Sequence, residues 1–131
     1  MGGENAPDKT IRGLSMFCKL EKDLSKIFFL LYGNEELILK KIHKYKVPLK
    51  NIKIFNTEPV VSDEETPLTA VKSSKNSSMW NSIQSQISQE ADISLSAGNT
   101  GVLLVISRML LKTIDQVSKP ALAGLWPSKK G

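Results

Sequence analysis

Short apolar runs alternate with amphipathic stretches along the whole chain. Residues 27–32 (IFFLLY) form a continuous apolar run that ends at Gly33, and a second run covers residues 52–55. A run without polar alternation is typical of a strand buried on both faces in a parallel sheet. Shorter runs at residues 93–95 and 120–125 predict two further strands.

The stretches between these runs predict helices. Asn34 is a suitable N-cap for a helix to about residue 45, and Glu35 and Glu36 would lie in its first turn. Other helices are predicted over residues 8–22, 67–73, from Ser77 or Ser78 to about residue 89, and after residue 99 to about residue 112. Strands and helices therefore alternate, which predicts an α/β fold with a mostly parallel sheet and flanking helices.

The two ends of the sequence break this alternation. The first predicted helix follows the pair Gly2-Gly3 with no strand before it, and the last predicted strand is followed by no closing element. We therefore expect residues 1–131 to be a single portion of a larger domain, cut at both ends.

Composition and charge narrow the class of protein. The chain has 131 residues, of which 40% are hydrophobic and 24% charged, as in ordinary globular domains. A net charge of +5 favours acidic proteins, anionic surfaces or nucleic acid as partners. The lone Cys18 excludes an intrachain disulfide, fits a reducing cytosol and is interpreted as a buried structural thiol. No run approaches the roughly 20 apolar residues that span a bilayer, and the first residues do not read as a secretion signal.

The segment SAGNTG, residues 96–101, lies between a predicted strand and a predicted helix. Ligands of parallel α/β folds gather at the carboxyl ends of the strands, where a helix N-terminus presents unpaired N–H groups. Gly98 and Gly101 would let the backbone approach a ligand, and Asn99 and Thr100 add side-chain donors. The segment could therefore cradle phosphate. The alternative is a tight turn in which Asn99 caps the helix; the segment lacks the Gly-Lys-Ser/Thr ending of a P-loop.

Each of two further polar stretches could be a binding site or an ordinary solvent-exposed segment. Ser77 and Ser78, with Lys72 and Lys75 nearby, could bind an anion, or could form an exposed loop with a serine cap. The basic run at residues 40–46 could bind nucleic acid or an acidic protein, or could be a solvated helix end. His43 in that run has no metal-ligand partner at a useful spacing, and no Ser-His-Asp pattern, zinc spacing or carboxylate pair is present.

Several short motifs, in one order along the chain, are similar to those of one enzyme family. MGGENAP at the start, NSSM at residues 76–79, SAGNTG at 96–101 and KPAL at 119–122 resemble motifs of the PlsX-type phosphate acyltransferases of bacterial phospholipid synthesis. The similarity is collinear over essentially the whole chain, and the combination of MGG, SSM and SAGNTG is its most specific part. Glu4, Lys72 and Val102 depart from the family pattern, which has Asp, Arg and Ala there.

The resemblance implies a fold, a reaction and partners. Residues 1–131 would be the N-terminal portion of a phosphate acyltransferase domain, a truncated part of a fold that resembles that of the isocitrate and isopropylmalate dehydrogenases. The protein would form homodimers. The enzyme would transfer a fatty acyl group from acyl carrier protein to inorganic phosphate without a metal or an organic cofactor. It would be cytoplasmic, with peripheral association at the membrane.

Two alternatives to an active enzyme stay open. The chain could be a truncated, non-catalytic remnant that binds anions or acyl carrier protein. Nucleic-acid binding rests only on the net charge and the basic run, and the 6% aromatic content offers few side chains on which bases could stack.

The resemblance also assigns roles to individual residues. Asn99 and Thr100 are the predicted catalytic pair, and the backbone of residues 98–101 would hold phosphate or the thioester oxygen. The predicted substrate-binding residues are Gly2, Gly3, Lys72, Ser77, Ser78, Ser96, Gly98 and Gly101.

Overall fold

The computed structural model describes residues 2–57 and 75–124. The elements in chain order are α1 (Asp8–Leu20), β1 (Phe29–Gly33), α2 (Glu35–Tyr45), a 3₁₀ turn (Leu49–Asn51), β2 (Ile52–Asn56), α3 (Ser78–Ile87) and α4 (Thr100–Leu110). Four predicted helices and two predicted strands are thereby confirmed, with ends that differ by a few residues. The helix predicted for residues 67–73 lies outside the described residues.

Strands β1 and β2 pair in parallel, with Phe29 opposite Ile52 and Gly33 opposite Asn56. The carbonyl of Gly33 accepts a hydrogen bond from the N–H of Thr57 at 3.1 Å, one residue beyond the last pair. The predicted α/β class with a parallel sheet is therefore confirmed within the part of the chain that the structure describes.

Helix α2 begins where the two strands end. The side-chain oxygen of Asn34 accepts a hydrogen bond from the N–H of Leu37 at 2.9 Å, as predicted for an N-cap. The side-chain oxygen of Asn56 accepts a second bond, from the N–H of Glu35 at 3.1 Å. Both strand ends therefore satisfy N–H groups that the first turn of a helix leaves without intrahelical acceptors.

Helices α1 and α2 cover one face of the sheet. Their shared core contains the buried side chains Ile11, Leu31, Ile38, Ile42 and Val47. Cys18 is half-buried against this cluster, and burial raises the pKa of its thiol. This environment suits a packing role for Cys18.

Helices α3 and α4 form a second core. Its buried members are Met79, Ile83, Val102 and Ile106, and they share no residue with the first core. Helix α3 packs against both α4 and β1. Both helix pairs therefore reach β1, the first through Leu31 and the second through α3.

Within residues 2–57 and 75–124, two of the four predicted strands are not formed. Residues 93–95 are irregular, and Ile93 and Leu95 are 74% and 88% exposed. The hydroxyl of Ser94 donates to the carbonyl of Ser82 at 2.7 Å, so a side-chain bond holds this segment to α3. A strand requires a neighbouring backbone, and this segment pairs with none in the described part of the chain. Residues 120–124 are irregular as well.

Candidate functional site

The N-terminal glycine pair lies directly against the SAGNTG turn. Gly3 has a φ of +97°, which favours glycine, and a Cβ atom at this position would lie 2.2 Å from the carbonyl oxygen of Ala97. The same Cβ would lie 2.9 Å from the carbonyl carbon of Ala97. Only glycine allows the two backbones to approach this closely.

Gly98 connects that contact to the start of α3. A Cβ atom at Gly98 would lie 3.1 Å from Cε of Met79 and 3.7 Å from the carbonyl carbon of Gly2. Met79 lies in the first turn of α3, directly after Ser77 and Ser78. The structure therefore brings together the glycine pair Gly2-Gly3, the SSM motif and the SAGNTG segment, which are far apart in the sequence.

Asn99 caps α4, as in the tight-turn alternative to a phosphate cradle, and of the two serines considered as caps it is Ser77 that caps α3. The side-chain oxygen of Asn99 accepts hydrogen bonds from the N–H groups of Gly101 at 3.0 Å and Val102 at 3.1 Å. The hydroxyl of Ser77 accepts from the N–H of Trp80 at 3.2 Å, and Ser77 is fully buried. Each side chain therefore fixes the direction in which its helix begins.

Some backbone N–H groups of the SAGNTG turn already donate hydrogen bonds to side chains within the turn. The N–H of Gly98 donates to the hydroxyl of Ser96 at 3.2 Å, and that of Gly101 donates to Asn99. Thr100 is exposed and is the first residue of α4. An N–H at this position has no acceptor inside its own helix, which makes Thr100 the best placed backbone donor for an external ligand.

The two helices that begin at this site have no acidic residue in their first turns. In contrast, α1 has Asp8 there, and α2 has Glu35 and Glu36. A helix N-terminus carries a partial positive charge that nearby carboxylates offset. The starts of α3 and α4 therefore suit an anion better than the starts of the other two helices.

The other predicted site residues differ in burial and in their position relative to the contact of Gly3 with Ala97. Ser78 is buried and lines a groove that also reaches Gly2, whereas Ser96 is an exposed residue on its rim. Lys72 lies outside the described residues. Two contacting residues were not predicted as site residues, namely Met79 and Ala97. Met79 could have been predicted from its position after the two serines, whereas no sequence pattern indicates the contact through the carbonyl of Ala97.

The chain matches the family model of a fatty acid synthesis protein over residues 1–131. The chain belongs to this family. It is similar to the phosphate acyltransferase of Pelagibacter ubique, with 42% identity over 130 residues, or 99% of this chain and 38% of the relative. The phosphate acyltransferase of Pediococcus pentosaceus is 36% identical over 131 residues, or 100% of this chain and 36% of the relative.

A third relative, the phosphate acyltransferase of Lactococcus lactis, is 37% identical over 131 residues, or 100% of this chain and 38% of its own length. The chain thus spans between 36% and 38% of the length of these relatives. The family resemblance that the motifs indicated is confirmed.

An ion-pair cluster fixes the start of α1 in this family member. Asp8 accepts hydrogen bonds from the ammonium of Lys41 and, at 2.6 Å, from the hydroxyl of Tyr45. The ammonium of Lys44 lies 3.6 Å from the same carboxylate. These groups, with Lys41 contributing most, lower the pKa of Asp8 to about 2. Two lysines of the basic run at residues 40–46 therefore have an internal acidic partner.

An open groove of about 830 Å³ lies beside β1. Its walls are formed by α1, by residues 26–32, by α3 and by residues 90–97, and Gly2 lies in its lining. Residues 2–57 and 75–124 contain no group of three or more His, Cys, Asp or Glu residues that could hold a metal ion. Within the same residues, no helix is both long and apolar enough to cross a membrane.

Proposed function

We propose that this chain is part of an enzyme that transfers a fatty acyl group from acyl carrier protein to inorganic phosphate. The observation that carries the proposal is the contact of Gly3 with Ala97, which joins the N-terminal glycine pair to the SAGNTG turn. The starts of α3 and α4 lie beside this contact and have no acid in their first turns. The relatives' name, phosphate acyltransferase, supports phosphate as the anion and acyl transfer as the reaction.

The proposed step is a direct displacement at a thioester. A phosphate oxygen attacks the acyl carbonyl carbon, a carbon–oxygen bond forms and the carbon–sulfur bond breaks. The carrier thiolate leaves and takes the proton that the attacking hydrogen phosphate gives up, and the product is an acyl phosphate for phospholipid synthesis. The protein contributes by holding the two reactants together and by directing fixed donors at the developing oxyanion.

The arrangement of hydrogen-bond donors suggests that Thr100 and Asn99 have different roles in the SAGNTG turn. The N–H and hydroxyl of Thr100 would bind the phosphate or the thioester oxygen, since Thr100 is exposed at the first position of α4. Asn99 would hold the turn in position, because its side chain accepts the next two N–H groups. Gly2, Gly3, Ser78 and Ser96 would border the reactants, and Lys72 would add positive charge.

The proposal extends to partners, fold and location. Lys40 and Lys46 are exposed on and next to α2 and would favour the approach of acyl carrier protein, which is acidic. We further propose a complete fold resembling that of the isocitrate and isopropylmalate dehydrogenases, a homodimer, and a cytoplasmic location with peripheral membrane association.

The test is an acyl-transfer assay with long-chain acyl carrier protein, with and without inorganic phosphate. Acyl phosphate and free carrier should appear together and only when phosphate is present. Asn99→Asp should lower this transfer at least about tenfold, because Asp keeps the helix cap but adds a negative charge at the anion site. The matched control is Asn34→Asp, which keeps the cap of α2, where the first turn already has two acids.

Other outcomes of the assay would favour the alternatives. A folded chain that binds phosphate or acyl carrier protein without forming acyl phosphate would be a non-catalytic binding module. Salt-sensitive binding to arbitrary DNA, with none to acyl carrier protein, would instead favour nucleic-acid binding.

A further inference from the structure

The positive charge of this chain is concentrated in one segment. Residues 37–57 contain six lysines and no acidic residue. All other residues together carry 12 basic and 13 acidic side chains, a net charge of −1, whereas the whole chain has a net charge of +5. Three of the six lysines, Lys40, Lys41 and Lys44, lie on α2, which packs against α1. The excess charge is therefore a property of the surface around this helix.

Helix α2 presents these lysines on the side away from the core. Its buried residues are Ile38 and Ile42, whereas Lys40 and Lys44 are exposed. Since Lys40 and Lys44 are four residues apart, they are neighbours on the outer face of the helix. Leu37 precedes Lys40 by three residues on that face and is 49% exposed. The outer face of α2 therefore combines one apolar side chain with a row of cations.

Helix α1 adds to this surface where it meets α2. Asp8 of α1 accepts a hydrogen bond from the ammonium of Lys41, and the exposed Arg12 follows Asp8 by about one turn, on the same side of α1. Within residues 2–57 and 75–124, neither Arg12 nor Lys40 forms an ion pair. Asp8 is the one acidic residue of α1, so positive charge remains in excess. The basic face is the name used below for Arg12, Leu37, Lys40, Lys41 and Lys44.

Two cations of the basic face are held in place by neighbouring side chains. The ammonium of Lys44 lies 3.6 Å from the carboxylate of Asp8 and 5.0 Å from the centre of the Tyr45 ring. The hydroxyl of Tyr45 donates to the same carboxylate at 2.6 Å, and Lys41 donates to it as well. A side chain that is already restricted loses less conformational entropy when a partner binds. The basic face is therefore partly arranged for binding in advance.

The basic face lies close to the candidate site. The N–H of Asp8 donates to the carbonyl of Asn5 at 2.8 Å, and that of Ala6 donates to the carbonyl of Gly3 at 3.1 Å. These bonds fold the chain into consecutive tight turns, so Asp8 and its lysines lie near Gly3. Gly3 in turn lies against the SAGNTG turn. A partner bound to the basic face would therefore be held beside the site.

We propose that the basic face is the docking surface for the acidic carrier protein that delivers the acyl thioester. The proposal rests on the proposed function, which supplies this carrier as the partner. It goes further than a general attraction by lysines, because it requires direct contacts with the named side chains of α1 and α2. An acidic helix of the carrier would place carboxylates on the cations and an apolar side chain on Leu37.

The composition of the basic face favours a protein over the other polyanions. Protein interfaces have an apolar centre within a polar rim, and Leu37 among the cations fits that pattern. Single-stranded nucleic acids stack on aromatic side chains, whereas the one aromatic residue of α2, Tyr45, is half-buried with Lys44 over its ring. A helix that lies on a membrane buries a row of large apolar side chains. In α2, which the structure describes completely, Leu37 is the one large hydrophobic residue that is exposed.

The test measures the affinity of the chain for fluorescently labelled acyl carrier protein by fluorescence anisotropy. The double variant Arg12→Glu/Lys40→Glu reverses two unpaired charges of the basic face, and Arg12→Gln/Lys40→Gln only removes them. The matched control is Lys112→Glu, which reverses an exposed lysine just after α4. Urea unfolding checks that each variant is folded. If the reversed variant does not fold, the neutral variant decides by the same criterion.

Charge reversal should raise the Kd for the carrier at least about tenfold, charge removal should raise it less, and Lys112→Glu should change it less than about twofold. Added salt should weaken binding to the unchanged chain. The proposal is overturned if the reversed variant binds the carrier as tightly as the unchanged chain, or if Lys112→Glu weakens binding equally. It is also overturned if the unchanged chain binds no carrier, whether or not it binds duplex DNA or phosphatidylglycerol vesicles.

A separate reaction distinguishes failure of docking from failure of the proposed function. The unchanged chain is given inorganic phosphate and dodecanoyl pantetheine, a thioester without the carrier protein. If acyl phosphate forms from this donor while the reversed variant keeps its affinity for the carrier, the docking surface alone is refuted. If carrier binding depends on Arg12 and Lys40 but neither donor gives acyl phosphate, the docking surface stands and the proposed reaction is refuted.

Discussion

The missing side chain of Gly3 lets its backbone lie against the carbonyl of Ala97, where a Cβ atom would be 2.2 Å from the oxygen. This contact joins the start of the chain to a turn more than ninety positions later. Since the atoms involved belong to two backbones, no rotamer change can relieve a collision there.

Gly3→Ala should therefore destabilise the chain by at least about 2 kcal/mol, because strain at positive φ adds to a backbone collision. Urea unfolding measures the change. Gly13→Ala is the matched control, since the same added methyl group meets open space in α1. The control should instead stabilise the chain by about 0.4–1 kcal/mol. Equal destabilisation by both variants would contradict the contact.

Gly98→Ala should have a smaller effect than Gly3→Ala. Its Cβ would lie 3.1 Å from Cε of Met79, the end of a flexible side chain that can move aside. We expect a loss of less than about 1 kcal/mol in the same urea experiment. A loss as large as that of Gly3→Ala would show that Met79 cannot yield.

Substitutions at Asn99 separate the cap from the amide group. Asn99→Ala should cost about 1 kcal/mol of stability, because two N–H groups of α4 lose their shared acceptor. Asn99→Ser should cost only a few tenths, since a serine hydroxyl also caps a helix. Chemical denaturation measures both values, and both variants should stay folded. Equal stability of the two would argue against the cap.

On the proposed function, the same pair of variants tests what else Asn99 does. Loss of acyl transfer in the alanine variant alone would show that Asn99 acts through the cap. Loss in both variants would assign a role to its amide group, and unchanged transfer in both would remove Asn99 from the site.

The Asp8 cluster predicts a loss of stability in acid. The pKa of Asp8 is about 2 in the folded chain against an ordinary 3.8, because Lys41 and Tyr45 bind the ionised carboxylate. Its contribution is therefore complete above the ordinary value and is lost as the pH falls through about 2. As the pH is lowered from about 5 to about 2, the unfolding midpoint should fall less steeply for Asp8→Asn than for the unchanged chain. Lys41→Met should also reduce this dependence of the midpoint on pH, but by less than Asp8→Asn, since Lys41 is the largest but not the sole cause of the low pKa of Asp8.

The caps and helices of this chain follow from local sequence. Asn34, Ser77 and Asn99 each stand before a helix, and each accepts an N–H from that helix's first turn. The accepting side chain and the donating N–H groups lie within three residues of each other, so one short stretch of sequence contains the whole interaction. The family could be identified from sequence for a related reason, since its motifs are also short and contiguous.

The strand at residues 93–95 and the contact of Gly3 with Ala97 depended on tertiary structure. A run such as ISL has the apolar character of a strand, but it becomes a strand only if another backbone lies beside it. In the described part of the chain, residues 93–95 border an open groove and pair with no other backbone. Gly3 is a glycine because of a carbonyl that is distant in sequence and close in space. Interactions between neighbours in sequence were therefore readable from the amino acids alone, whereas backbone contacts between distant segments were set only by how the layers packed.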